Sequence, residues 1–280
     1  MPADPAPSGS ARAFLLAGVV AAGVARLADA VAASRVRGWQ RTNFRGRIVS
    51  LGAGVGAAAG ALTAASLPGP YRRAALIAGG AAALAGGYDD LLAPHAEADG
   101  DKGLRGHLAA AGGRRLSGGV VKVAVVGSAA VLSSRLLPGS GRIVHRAVSA
   151  TLIAGSANLL NLFDLRPGRA GKLATGASAL GLFGPAAGIA AAAGGSAAAT
   201  LPADLGERSM LGDIGSNTLG AMLGVRLAAG SPGLRGAALV VIVGLTTASE
   251  RTSFSKVIDS VPALRRIDEL GRSRAPERRR

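Results

Sequence analysis

Three short stretches of this 280-residue chain carry side chains able to handle a charged substrate. The first is Gly86-Gly87-Tyr88-Asp89-Asp90. Adjacent carboxylates repel each other unless a cation or a shared proton joins them. The plainer alternative is a pair of solvated caps where a helix ends. The second stretch runs from Asn158 through Asn161 and Asp164 to Arg166, Arg169 and Lys172. Asn158, Asn161 and Asp164 are spaced by three, so on a helix they share one slowly drifting face. The cations that follow suit phosphate, with Arg able to bind it bidentately. Its plainer alternative is a helix stop anchored by basic residues. The third stretch is Gly212-Asp213-Ile214-Gly215-Ser216-Asn217, a carboxylate ahead of a small-residue helix start. Free backbone N–H groups there favour anions, although Asp is also an ordinary N-cap.

Such a set of carboxylates, amides, Arg and Lys, in a chain with no Cys, fits a magnesium–diphosphate site better than a zinc or haem site. The three histidines, His95, His107 and His145, show no ligand spacing. Cysteine's absence also excludes disulfide frameworks, iron–sulfur ligation and thiolate nucleophiles.

The elements that must position these residues are apolar. The net charge of +16 would suit a nucleic-acid binder, but the mean hydropathy is +0.36 and aromatics make up only 3%. The basic residues lie between uncharged blocks such as 48–71, 74–88, 147–163 and 173–203. A bilayer core takes about 20 helical residues. The blocks predict an all-α, polytopic transmembrane bundle of nine spans, some short or broken: 13–33, 48–67, 74–88, 118–135, 144–162, 173–184, 186–201, 214–229 and 235–249. Several reach that length only if Lys122 snorkels, Arg235 lies at an interface and Arg226 faces the protein interior. Strands are not expected, because the blocks do not alternate. Residues 1–12 form a tail outside the cytoplasm, 13–249 the membrane domain and 250–280 a basic cytoplasmic segment. The N-terminus has one Arg and no clear cleavage site, so it is read as the first span rather than a signal peptide.

Placing the Trp39 loop in the cytoplasm and alternating from there puts 22 of the 32 Lys and Arg residues on the cytoplasmic side. All three acidic stretches then fall on that same face, which none of them required by itself. The expected setting is the plasma membrane of a bacterium, with the site facing the cytoplasm and membrane lipid around it.

The order Asp-Asp, Asn-x-x-Asn-x-x-Asp and Gly-Asp-x-Gly-Ser resembles the polyprenyl-phosphate N-acetylhexosamine-1-phosphate transferases, the glycosyltransferase family 4 of bacterial cell-wall (peptidoglycan) lipid intermediates. The resemblance spans roughly Arg41 to Gly224. It implies a many-span helical enzyme that moves a phospho-sugar from a UDP-sugar to a polyprenyl (undecaprenyl) phosphate with Mg²⁺. Carried over, Asp89, Asp90 and Asp213 would be the catalytic residues, with Asp89 and Asp90 near the lipid phosphate, one of them deprotonating or positioning it, and Asp213 also the magnesium ligand. Asn161 and Asp164 would border the diphosphate–sugar pocket, and Lys102 would lie on the phosphate path. Asn158, Arg166, Arg169, Lys172 and Ser216 complete the expected substrate-binding set. A homodimer is compatible with this reading. Two features depart from the family: Pro167 stands where a second Asp is usual, and residues 250–280 contain no His.

Two alternatives come from other classes. A relative without catalysis would bind a lipid-linked precursor, and the two departures favour it. A transporter would place ionisable groups near mid-bilayer and repeat its halves; here the acids gather at one face and no internal repeat is found.

Overall fold

The computed structural model describes residues 7–34, 38–92 and 118–273. Lys102, His95, His107 and the terminal arginines 278–280 lie outside the described residues. Among those described, nine apolar helices stand at the nine expected places: α1 (Pro7–Ala33), α2 (Gly52–Ala65), α3 (Arg72–Gly87), α4 (Gly118–Arg135), α5 (Ile143–Phe163), α6 (Arg169–Gly181), α7 (Ala187–Leu205), α8 (Gly212–Ala228) and α9 (Pro232–Ser249). Two short helices follow, α10 (Phe254–Ser260) and α11 (Pro262–Glu269). Three of the nine, the 9–33 part of α1 together with α5 and α9, are long and apolar enough to cross a membrane.

One expectation is corrected. The second apolar block does not begin as a helix at residue 48. Residues Gln40–Thr42 and Ile48–Ser50 pair as a short antiparallel hairpin, β1 and β2, in the register Gln40↔Ser50. The turn is held locally: Asn43 Oδ1 accepts from the N–H groups of Arg45 (2.9 Å) and Arg47 (3.0 Å). Ser50 then pairs with Ser209, tying the hairpin to the chain just ahead of α8. Asn and Gly in such a turn allow the tight bend that an apolar count alone does not register.

Helix α8 is the hub. It packs against α2, α3, α5, α6 and α7, and its buried residues run almost without a break from Gly212 to Ala228. The core around it is built mostly from Ala and Gly, while large side chains such as Leu15, Val19, Leu84, Leu180 and Val240 point outward and are exposed. Water-soluble bundles do the reverse. Where lipid surrounds a bundle, the hydrophobic effect cannot drive helices together, and close van der Waals approach between small residues takes its place. Gly220 shows how close: a Cβ there would lie 2.4 Å from the Ser156 carbonyl oxygen of α5.

Two buried cations make hydrogen bonds inside the fold. Arg226, expected to face inward, donates from α8 to the carbonyls of Gly181 (2.7 Å) and Phe183 (2.5 Å). These belong to the turn at Gly184-Pro185 that separates α6 from α7. Arg235, in the first turn of α9, is buried against α5, where it meets the His145 ring and donates to the His145 carbonyl (3.1 Å) and Ser149 Oγ (3.2 Å).

Gly220→Ala should cost about 1–3 kcal/mol by forcing α5 from α8. Gly236→Ala, with nothing within 4 Å of the added carbon, should cost nothing. Paired thermal melts in detergent measure both.

Candidate functional site

The N-terminus of α8 is where the three acidic stretches meet. Helix starts leave backbone N–H groups without intrahelical partners, and these carry partial positive charge. Here one of those groups is taken by a carboxylate from a distant part of the chain: the Ile214 N–H donates to Asp90 Oδ2 at 2.9 Å. The carboxyl of Asp164 stands beside the Gly212 backbone. Asp213 supplies a third carboxylate from the first turn itself.

Asp89 and Asp90 reach this point through a π-helical turn, Tyr88–Leu92, that continues α3. The wider winding rotates side chains relative to an α-helix, a common device at functional sites. Asp90 is thereby buried against α8, while Asp89 faces α4. Gly86 makes the approach possible, since a Cβ there would lie 2.4 Å from the Asp213 carbonyl oxygen.

Between Asp89 and Asp213 sits Lys122 of α4. Its ammonium pairs with Asp213 Oδ2 and lies 3.7 Å from Asp89 Oδ2. The sequence suggests that this lysine snorkels out of a span; the structure turns it into the acidic cluster. Unpaired, the two carboxylates would repel, so the nearest cation on a long flexible stem is drawn between them.

Asp164 lies at the C-terminal end of α5, where Asn161 accepts from Ser216 Oγ at 2.9 Å. Asn158, three residues earlier on the same helix, is exposed, whereas Asn161 and Asp164 are half-buried. Burial, together with the charges of Asp204, Asp213 and Asp90, pushes the Asp164 carboxyl well above the usual carboxylate range. Its Oδ2 is buried with no hydrogen-bond partner among the described residues. Burial also pushes Asp90 up to about 7, aided by the Asp213 charge. Asp204, beyond the apolar part of α7, is raised to about 7 by burial and accepts from the Gly168 N–H at 3.0 Å. The cluster therefore offers carboxyls that exchange protons near neutral pH.

A cavity of about 170 Å³ opens beside Asp164, lined by Phe44 of the hairpin turn, Arg166, Pro167, Asp204 and Met210. The Arg166 guanidinium stands 5.7 Å from the centre of the Phe44 ring. Another cavity, of about 200 Å³, lies at the far end of α2 around Arg12, Tyr71 and Arg72. No carboxylate lines it, so it has no part in the acidic site.

Among the described residues no group of three His, Asp or Glu side chains is arranged to hold a metal ion. Magnesium asks less of a protein: one or two carboxylates suffice when substrate phosphates complete its shell. Asp89 and Asp213, already sharing one cation, fit that donor set.

The expected phosphate-binding cations have other partners. Arg166 holds Asp259 with two bonds of 2.8 and 2.7 Å. Arg169 is buried and holds Asp268 in the same way, at 2.8 and 2.9 Å. Lys172 donates to the carbonyls of Ile267 (2.9 Å) and Asp268 (2.7 Å). Arg272 adds bonds to Asp268 and to the Pro167 carbonyl, both 2.8 Å, and Phe254 stacks on Phe163 at 4.6 Å. These cations thus dock α10 and α11 onto the loop between α5 and α6. The sequence places the cations beside a substrate, but it does not reveal that Asp259 and Asp268 fold back to meet them. Only Arg166 also lines the cavity.

Comparison with protein-family models, curated proteins and solved structures finds nothing that matches this chain. The site stands on its own geometry.

Several members of the site carry no motif. Lys122 left a signal, a lone charge in an apolar run, which in membrane helices often marks function. Asp204 and Glu207 left none. Glu207 is buried at φ +52 and binds Asn43 at 2.7 Å and Arg45, fastening the hairpin turn.

Asp204 generates a pH prediction. A carboxyl whose folded pKa is raised binds more protons folded than unfolded, so stability falls as pH rises from about 4 to 7. Asp204→Asn, which keeps the acceptor for Gly168, should flatten that slope in melts recorded across the range. Asp268→Ala should release α10 and α11, raising tryptic cleavage at Lys256, Arg265 and Arg266 by about tenfold or more, since a buried pair loses its partner. Unchanged cleavage would mean that the helices dock by other contacts.

Proposed function

We propose that the protein is a membrane-embedded glycosyl-1-phosphate transferase, a divergent polyprenyl-phosphate N-acetylhexosamine-1-phosphate transferase. It moves a phospho-sugar from a UDP-sugar to polyprenyl (undecaprenyl) phosphate with Mg²⁺, in cell-wall or surface-polysaccharide synthesis. The strongest support is the convergence of Asp89, Asp90, Asp164 and Asp213 at one helix N-terminus, beside a bundle whose outer face is apolar. A lipid phosphate needs that pairing: a charged site reachable from within a bilayer.

In this reading the polar end of the bundle faces the cytoplasm of a bacterial plasma membrane, the nine helices all span, and the excess of Lys and Arg lies on the side of the acids. An oxygen of the lipid phosphate attacks the β-phosphorus of the donor, the bond to the α-phosphate bridge breaks, and UMP leaves. Such a transfer depends chiefly on positioning and charge neutralisation. Asp213, with Asp89 beside it, would hold the Mg²⁺, which would supply neutralising charge at the diphosphate. Asp90, fixed by the Ile214 N–H, sets the position of Asp89 and exchanges a proton near pH 7. Asn161 and Ser216 orient the pocket wall, and Arg166 faces the cavity where the donor would lie.

A second reading, a precursor-binding relative without catalysis, draws on two observations. Arg169 and Lys172 are committed to the C-terminal helices, and Pro167 replaces an acid.

Membranes containing the protein, undecaprenyl phosphate, Mg²⁺ and a panel of UDP-sugars should release UMP. Asp213→Asn and Asp89→Asn should each lower that release by about 100-fold or more. No release with any donor, alongside intact folding and retained lipid-phosphate binding, would favour the second reading.

A further inference from the structure

The position of Lys122 goes beyond the transferase reading. Its ammonium occupies the space between Asp89 and Asp213, the same two carboxylates that fit a divalent cation. Lys122 lies near the start of α4, on an element that none of the acidic motifs includes. Its side chain is mostly buried, 17% exposed, so its charge acts in a medium less screening than water. The neighbouring cation, Arg41, bonds the backbone carbonyl of Asp90 rather than either of these carboxylates. Beyond the pair, Asp164 Oδ2 is buried with no hydrogen-bond partner among the described residues.

We propose that Lys122 is a tethered cation that competes with a divalent metal ion for the Asp89–Asp213 pair and so sets how tightly the site holds that ion. The physical basis is charge: an ammonium and a divalent ion drawn to the same two carboxylates repel each other. Lys122 offsets one unit of the negative charge that the pair presents to a divalent ion, so it weakens that attraction. When a metal enters, the four-carbon stem lets the ammonium swing out of the pair, where it is free to meet the phosphate of a substrate. A protein so built keeps its acids neutralised without metal, yet yields them when metal and phosphate arrive together. The inference deepens the transferase reading at its metal, but its test uses neither donor nor acceptor.

The probe is Mn²⁺, with the purified full-length chain in detergent and bound metal read by electron paramagnetic resonance. Lys122→Met should bind Mn²⁺ at least about tenfold more tightly than the wild type. Lys122→Arg, which keeps the charge, should stay near the wild type. Adding Asp213→Asn to Lys122→Met should abolish the gain, showing that the same carboxylates are involved. A second measurement needs no variant: acetylation of Lys122 in the wild type, followed by mass spectrometry, should accelerate several-fold as Mg²⁺ is added, because the metal expels the amine. Equal Mn²⁺ affinity in wild type and Lys122→Met, absence of binding in both, or acetylation indifferent to Mg²⁺ would each overturn the proposal. Failure of UMP release would leave these measurements intact, so the two ideas fall separately.

Discussion

A helix that begins inside an apolar bundle must have its free N–H groups met by acceptors, and the rest of this structure follows from how α8 solves that problem. A backbone donor buried without an acceptor is costly. The carboxylate of Asp90, at the end of α3, supplies the acceptor for Ile214, and that of Asp164, at the end of α5, stands beside Gly212. This solution concentrates negative charge at one point. The concentration creates the next constraint, since several buried acids can coexist only with protons or cations among them. The raised pKa of Asp90 and the intrusion of Lys122 are two answers to the same electrostatic problem.

Small residues make the convergence geometrically possible. At Gly86 and Gly220 any side chain would collide with backbone of the facing helix. Their absence brings α3, α5 and α8 close enough for short Asp and Asn side chains to meet. Longer acids could bridge wider gaps, but with more rotamer freedom to lose and less fixed geometry. The Ala and Gly core is thus part of the site's design as well as of the fold's stability.

The C-terminal helices extend this economy of charge. Arg166, Arg169 and Arg272 would be costly to bury alone, and Asp259 and Asp268 neutralise them at the rim of the cavity. Cations suited to phosphate are also suited to carboxylate, because both present paired oxygens to a guanidinium. A phosphate-rich substrate at this rim would meet a surface whose charges are already paired, Arg166 being the member that faces the cavity.

The sequence by itself determined the helical class, the places of the nine apolar helices, the inward role of Arg226 and the identity of the three acidic stretches. Each is a local property: hydropathy, spacing or residue type read within about 20 positions. It did not determine the hairpin, which depends on turn geometry and on pairing with Ser209, nor the burial of Arg235 against α5. Above all it did not decide the partners of the cations. Lys122 could have reached for the membrane interface and Arg169 for a phosphate; tertiary packing gave them Asp213 and Asp268 instead. The reason is physical. A charge has a long reach and a flexible stem, so its partner is whichever opposite charge the fold brings nearest, and sequence distance does not measure that.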